Sequence, residues 1–224
     1  LQGFVLFRKK LRPLSLKLPK EIHWEKMKGS LIQNLIYIDK EDGLKVFHNC
    51  EPPEGIICLE DEKLYEWQKE VINMINQPRD DRKIIWIYEE TGNTGKSALC
   101  KKMVIENNAL ICGGKSADMK YAIQQRLLKD GAKIPLVIMD VPRTSNKYIS
   151  YQGIEEIKNG CFFNNKYESG MVIFNSPHLI IFSNEAPQLD KMSLDRWSIF
   201  KIDHLQLVEE NLIMDEDEEI FKDV

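Results

Sequence analysis

At 224 residues the chain is about half as long again as the ~150-residue norm for one domain, which suits a full domain with an appendage better than two full domains. Its 43% hydrophobic and 29% charged residues exclude wholesale disorder, and no apolar run approaches the ~20 residues that a membrane-embedded chain needs. The net charge of −4 hides an asymmetry, with eight Lys and Arg against Glu21 and Glu25 in residues 1–28, and eight acids against Lys222 in residues 205–224.

The basic head fits a polyanion partner or a solvated face equally well. No signal-peptide pattern opens the chain, and its start on Leu1 rather than Met leads us to expect a piece of a longer protein. Residues 4–7 (Phe-Val-Leu-Phe) read as a short buried strand, followed by a helix near Glu21–Lys28. A second helix begins after Ser30, with Leu31, Leu35 and Ile38 on one face. Residues 44–60 contain Pro52, Pro53 and Gly55 and read as a linker. From 61 to 76 an amphipathic helix places Leu64, Trp67, Val71, Ile72 and Ile75 at helical spacing, and Pro78 ends it. Its apolar stripe suits either an oligomer contact or the core of the monomer.

Residues 84–88 (Ile-Ile-Trp-Ile-Tyr) have the continuous apolar character of a strand buried on both faces. The expected order thereafter is a glycine loop and helix, strand 109–112, helix 117–129, strand 134–140, helix 154–158, hairpin 162–174, and strands 179–183 and 199–202. Alternating strands and helices predict an α/β fold with a mainly parallel sheet flanked by helices. The tail from 205 is expected to be disordered around the five acids of 215–219. Cys50, Cys58, Cys100, Cys112 and Cys161 are an odd, scattered set without C-x-x-C spacing, as for reduced thiols inside a cell. His23, His48, His178 and His204 are equally dispersed and make no zinc pattern.

Gly92, Asn93, Thr94, Gly95, Lys96 and Ser97 lie between a buried strand and a helix. Such a loop converges backbone N–H groups and a helix N-terminus on a phosphate, with Lys96 reaching the β- and γ-phosphates and Ser97 ligating Mg²⁺. The full signature G-x-x-x-x-G-K-[ST] needs glycine at 90, where this chain has Glu90. Asp140 ends the apolar run from 134, expected beside the first strand, and is placed to hold Mg²⁺. Val141, Pro142 and Arg143 follow it, so the usual second acid for activating water is missing there, and Glu155 and Glu156 are the alternatives. Asn184 ends a further strand as a γ-phosphate sensor or a turn former. Arg196, between Asp195 and Trp197, is either a structural partner of Asp195 or an arginine finger acting on a neighbouring subunit.

This series of motifs, together with the segment 160–169 containing Lys166-Tyr167-Glu168-Ser169, resembles the superfamily 3 helicase domain of replication-associated (Rep) proteins from circular single-stranded DNA viruses of the nanovirus and circovirus type. The resemblance covers about residues 80–203. It implies an ASCE (AAA+-like) P-loop sheet, an ATP- and Mg²⁺-dependent DNA helicase, a hexameric ring around single-stranded DNA, and a channel hairpin on which Lys166 grips phosphate and Tyr167 stacks on a base.

Upstream, Leu1-Gln2-Gly3-Phe4-Val5, His23-Trp24-Glu25 and Tyr37-Ile38-Asp39-Lys40 resemble the later half of the HUH rolling-circle endonuclease of the same proteins. That likeness implies Gln2 from a truncated H-x-Q metal motif, Tyr37 as the nucleophile and Lys40 as its lysine, with Mg²⁺ or Mn²⁺ for nicking at a viral origin. The implied organisation is a partial α+β HUH unit at 1–45, a linker with a possible oligomerisation helix at 46–80, the helicase domain at 81–204 and an acidic tail at 205–224. The resemblance implies the host nucleus as the location. A decayed, non-catalytic nucleotide-binding scaffold, an RNA helicase and a small-molecule P-loop kinase are the alternative functions.

Overall fold

The structure, a computed structural model, describes residues 12–17, 19, 21–25, 56–130, 133–144, 149–166 and 169–210. The expected strand at 4–7, the helix after Ser30 and the acidic run at 215–219 lie outside these residues, as do Gln2, Tyr37, Lys40 and Tyr167. The chain divides into two compact units, Leu1–Ile57 and Cys58–Val224. Within the first, Pro13–Leu16 forms a 3-10 turn. Residues 21–25 form a turn followed by irregular backbone rather than the start of the helix expected near Glu21–Lys28.

The second unit is built on a six-stranded sheet. Its strands are β1 (Ile84–Tyr88), β2 (Leu110–Cys112), β3 (Leu136–Asp140), β6 (His178–Ser183), β7 (Trp197–Asp203) and β8 (Gln206–Glu209). A separate antiparallel hairpin consists of β4 (Cys161–Asn164) and β5 (Gly170–Ile173). The helices are α1 (Glu66–Asn76), α2 (Lys96–Glu106), α3 (Ser116–Asp130) and α4 (Tyr151–Asn159). The sheet order is β2-β3-β6-β1-β7-β8, parallel throughout except for the β7–β8 pair. The α/β fold with a mainly parallel, helix-flanked sheet is therefore the observed one.

Two details differ from the sequence reading. The strand carrying Asp140 is not beside β1, because β6 is inserted between them and pairs with both. The expectation of adjacency neglected that a strand arriving late in the chain can take a central place when both of its faces are apolar, as those of β6 are. The segment expected as the start of the acidic tail is instead β8, paired with β7 as an edge strand. Its alternation of Gln206 and Val208 with Leu207 and Glu209 is too short and too polar to announce a strand on its own.

Successive side chains of each strand point to opposite faces, so two cores form. On one face Ile84, Trp86, Val137, Met139, Leu179 and Ile181 pack with α3, α4 and the hairpin. On the other, Ile87, Ile138, Ile180 and Phe182 pack with Trp67 and Val71 of α1 and with Leu99 and Met103 of α2. The apolar stripe of α1 is thus part of this unit's core, with Trp67 and Val71 fully buried. Parallel strands put their C-terminal ends on one edge, where β1, β3 and β6 deliver Glu89, Asp140 and Asn184.

Candidate nucleotide site

The loop after β1 turns into α2 through left-handed backbone at Gly92 (φ 92°), Asn93 (φ 62°) and Gly95 (φ 89°). Gly95 has a second reason to be glycine: a Cβ there would stand 2.9 Å from the amide nitrogen of Gln68, which would have to shift. The Gln68 amide donates to the Gly95 carbonyl at 3.1 Å, so the buried first turn of α1 braces the loop. Arg143 braces it from the other side by donating to the Glu90 carbonyl at 2.6 Å. The Thr94 hydroxyl is buried in the loop without a hydrogen-bond partner. The glycine missing at position 90 does not prevent the turn, because Gly92 and Asn93 supply the positive φ instead.

Ser97 and Asp140 lie together as expected, the serine hydroxyl donating to Asp140 Oδ2 at 2.7 Å. Two oxygen ligands from the first turn of α2 and the end of β3 suit Mg²⁺, a hard ion that takes few protein ligands and completes its shell with water and phosphate oxygens. Among the described residues no group of three or more His, Cys, Asp or Glu side chains could hold a metal by itself.

Lys96 and Asn184 also meet, but on a residue that the sequence reading passed over. Glu89 directly follows β1 and is only 2% exposed. Its carboxylate accepts hydrogen bonds from the Lys96 ammonium, the Gly92 N–H at 2.5 Å, the Thr91 hydroxyl at 3.0 Å and the Asn184 amide at 3.2 Å. The same Asn184 amide also donates to the Glu89 carbonyl at 3.0 Å. Burial pushes the Glu89 carboxyl up, but the Lys96 ammonium, the Gly92 N–H and the Thr91 hydroxyl outweigh it and hold the group below the usual carboxylate range. The signal was present in the sequence: an acid ending a buried apolar strand, the pattern that singled out Asp140.

Arg196 stands elsewhere. It is 6% exposed, donates to Asn159 at 3.0 Å and pairs with Glu155 at 3.1 Å. Trp197, the next residue, pairs with Ile84 at the start of β1, so about 13 Å of strand separates it from the loop. Glu155 is held by Arg196 and Glu156 pairs with Lys120 at 2.6 Å, so neither of these acids is among the groups around Lys96. Near the start of β1, Lys158 is buried and donates to the Asp80 and Pro177 carbonyls at 2.6 and 2.8 Å. Burial pulls its ammonium down to about 8. Lys158 also lines a cavity of about 620 Å³ with Arg79, Asp81, Asn159 and Phe174 that does not border the loop.

Lys166, at the hairpin turn, pairs with Asp118 at 2.7 Å. Its backbone is fixed by Asn164, whose side chain accepts from the Lys166 N–H and donates to the Lys166 carbonyl, both at 3.1 Å. Phe162 and Val172 pin the hairpin to the core, while Phe163, Met171 and Ile173 are exposed on its other face.

No protein-family model matches the chain. It is 31% identical over 235 residues to Para-Rep C2 of Subterranean clover stunt C2 alphasatellite, a match that spans 88% of this chain and 82% of that protein. The chain belongs to the Rep family. A second Rep relative, Para-Rep C9 of Faba bean necrotic yellows C9 alphasatellite, is 29% identical over 245 residues, covering 89% of this chain and 85% of its own length. A third, Para-Rep C1 of Faba bean necrotic yellows C1 alphasatellite, is 36% identical over 135 residues, covering 60% and 46%. Rep membership assigns the chain to viral DNA replication.

Proposed function

We propose that residues 58–210 form an ATP-driven, Mg²⁺-dependent DNA helicase motor, linked in Rep fashion to a nicking unit. The observation that carries this reading is the convergence of the loop N–H of Gly92, Lys96 and Asn184 on one point, with Ser97 and Asp140 2.7 Å apart beside them. One cation, one side-chain amide and one backbone N–H directed at one anionic group suit a triphosphate, and the oxygen pair suits its metal. When bound, Mg²⁺ supplies charge neutralisation on the phosphate oxygens. The chain's own residues do the rest: the loop N–H groups and Lys96 seat the phosphates, and Asn184 orients the γ end. The Asn184 strand lies between those of the loop and Asp140, so the ends of all three face one place on the sheet edge.

In this reading Lys166 tracks a DNA phosphate from the hairpin, with Tyr167 beside it in sequence, and ring assembly places several hairpins around one strand. Tyr37 and Lys40, with Gln2 from the metal motif, would perform nicking at the origin, and the host nucleus is where such a reaction finds its substrate. Strand displacement tests the motor. Unwinding of a single-strand-tailed DNA duplex by the wild type with ATP and Mg²⁺, and none by Lys96→Ala, supports it. A second reading, a nucleotide-binding scaffold, is favoured by one observation: Val141, Pro142 and Arg143 put no acid beside Asp140. Nucleotide binding without unwinding or turnover would establish that reading instead.

A further inference from the structure

The Asp140 strand lacks the acid that would activate water, and the loop strand ends in one that nothing has yet given a task. We propose that Glu89 is the general base for ATP hydrolysis, and that its carboxylate and the incoming triphosphate compete for the same donors. This inference rests on the motor reading above.

Three of the four donors to the Glu89 carboxylate are ones that the proposed function requires for phosphate, the Thr91 hydroxyl being the fourth. Lys96 and the Gly92 N–H are the two phosphate-seating donors, and both now face the Glu89 carboxylate. Asn184, placed to orient the γ end, holds that carboxylate at 3.2 Å and its carbonyl at 3.0 Å. A 2%-exposed carboxylate at the centre of a phosphate-binding loop would be repelled by a triphosphate unless it moved. The bond from the Asn184 side-chain amide to the Glu89 backbone carbonyl does not involve the Glu89 carboxylate, so the residue stays anchored while its carboxylate swings.

Once Lys96 and Gly92 have turned to phosphate, the carboxylate is left beside the γ end with no cation of its own, the condition under which it accepts a proton readily. The step balances simply. Glu89 takes a proton from a water molecule, the water oxygen forms a bond to the γ-phosphorus, and the bond from that phosphorus to the β–γ bridging oxygen breaks. The electron pair leaves on ADP, and the proton passes from Glu89 to solvent as phosphate departs.

The test compares wild type, Glu89→Gln, Glu89→Asp and Lys96→Ala in the whole chain. Three quantities are read: affinity for a fluorescent methylanthraniloyl-ATP, turnover of ATP with single-stranded DNA, and the thermal midpoint. Glu89→Gln keeps the shape of the side chain and removes its charge. We expect it to bind the analogue about tenfold or more tightly and to hydrolyse ATP at least ~100-fold more slowly, the scale of a lost general base. Glu89→Asp retains the charge and withdraws it by one methylene, so turnover falls without any gain in affinity.

Unchanged or weaker binding by a folded Glu89→Gln variant overturns the competition. Retained turnover in that variant overturns the role as base. Should Glu89→Gln melt below the assay temperature, Glu89→Asp decides, since full activity there contradicts a positioned base. A wild-type chain that binds but never hydrolyses ATP overturns the motor reading and the base with it, while the affinity comparison still decides the competition.

Discussion

Arg196 illustrates how one side chain can carry two opposed readings until its neighbours are known. Its guanidinium is buried against Glu155 and Asn159 at the far end of β1 from the loop. Arg196→Ala leaves both partners and should lower stability by about 1–3 kcal/mol, read as a fall in the thermal midpoint. An unchanged midpoint with lost ATPase in mixed subunits would support a role in trans. Lys158 gives a pH-dependent prediction. Its ammonium loses its proton near pH 8 in the folded chain but near the usual 10.5 when unfolded, so between those values the unfolded chain binds more protons. The contribution of this group to stability is therefore lowest below pH 8 and rises towards pH 10.5. Stability relative to Lys158→Met should increase over that window, and a flat difference in chemical denaturation would contradict it.

At the scale of elements, the strands carrying the site were legible because their signals were local and continuous. The run Ile84–Tyr88 is apolar at every position, and the run ending at Asp140 nearly so, which marks strands covered on both faces. Glycines with Lys96 and Ser97 marked the loop without any tertiary information. What sequence could not show was pairing. The insertion of β6 between β1 and β3, the edge strand β8, and the bond from Gln68 to the Gly95 carbonyl each depend on residues far apart in the chain. The same is true of Glu89, whose four donors span positions 91 to 184.

The helix α1 was ambiguous for the same reason, since an apolar stripe does not name what it packs against. Its burial against α2 and β6 predicts that Trp67→Ala costs about 3–5 kcal/mol in a denaturation experiment on the isolated chain. A loss of assembly without loss of stability would instead make it an oligomer contact. On the hairpin, Lys166→Ala should weaken binding to single-stranded DNA uniformly across sequences and reduce the slope of log affinity against log salt by about one. An unchanged slope in a salt titration would remove this lysine from the DNA path.

Across the whole molecule, the proposed motor would bring nucleotide chemistry and strand handling together in one unit. The loop, Asp140 and Asn184 share the C-terminal edge of the sheet, while the hairpin lies on the face formed by α3 and α4 and connects α4 directly to β6, the strand that ends in Asn184. A change in what Asn184 contacts has a short covalent route to the hairpin through that strand. DNA on the hairpin and ATP in the loop are therefore expected to influence each other. The measurement that tests this most directly is steady-state ATP hydrolysis by the purified chain, with and without single-stranded DNA, beside Lys96→Ala. Hydrolysis that rises several-fold with DNA and vanishes in Lys96→Ala is the predicted result. Nucleotide binding with no turnover in either condition would contradict the motor.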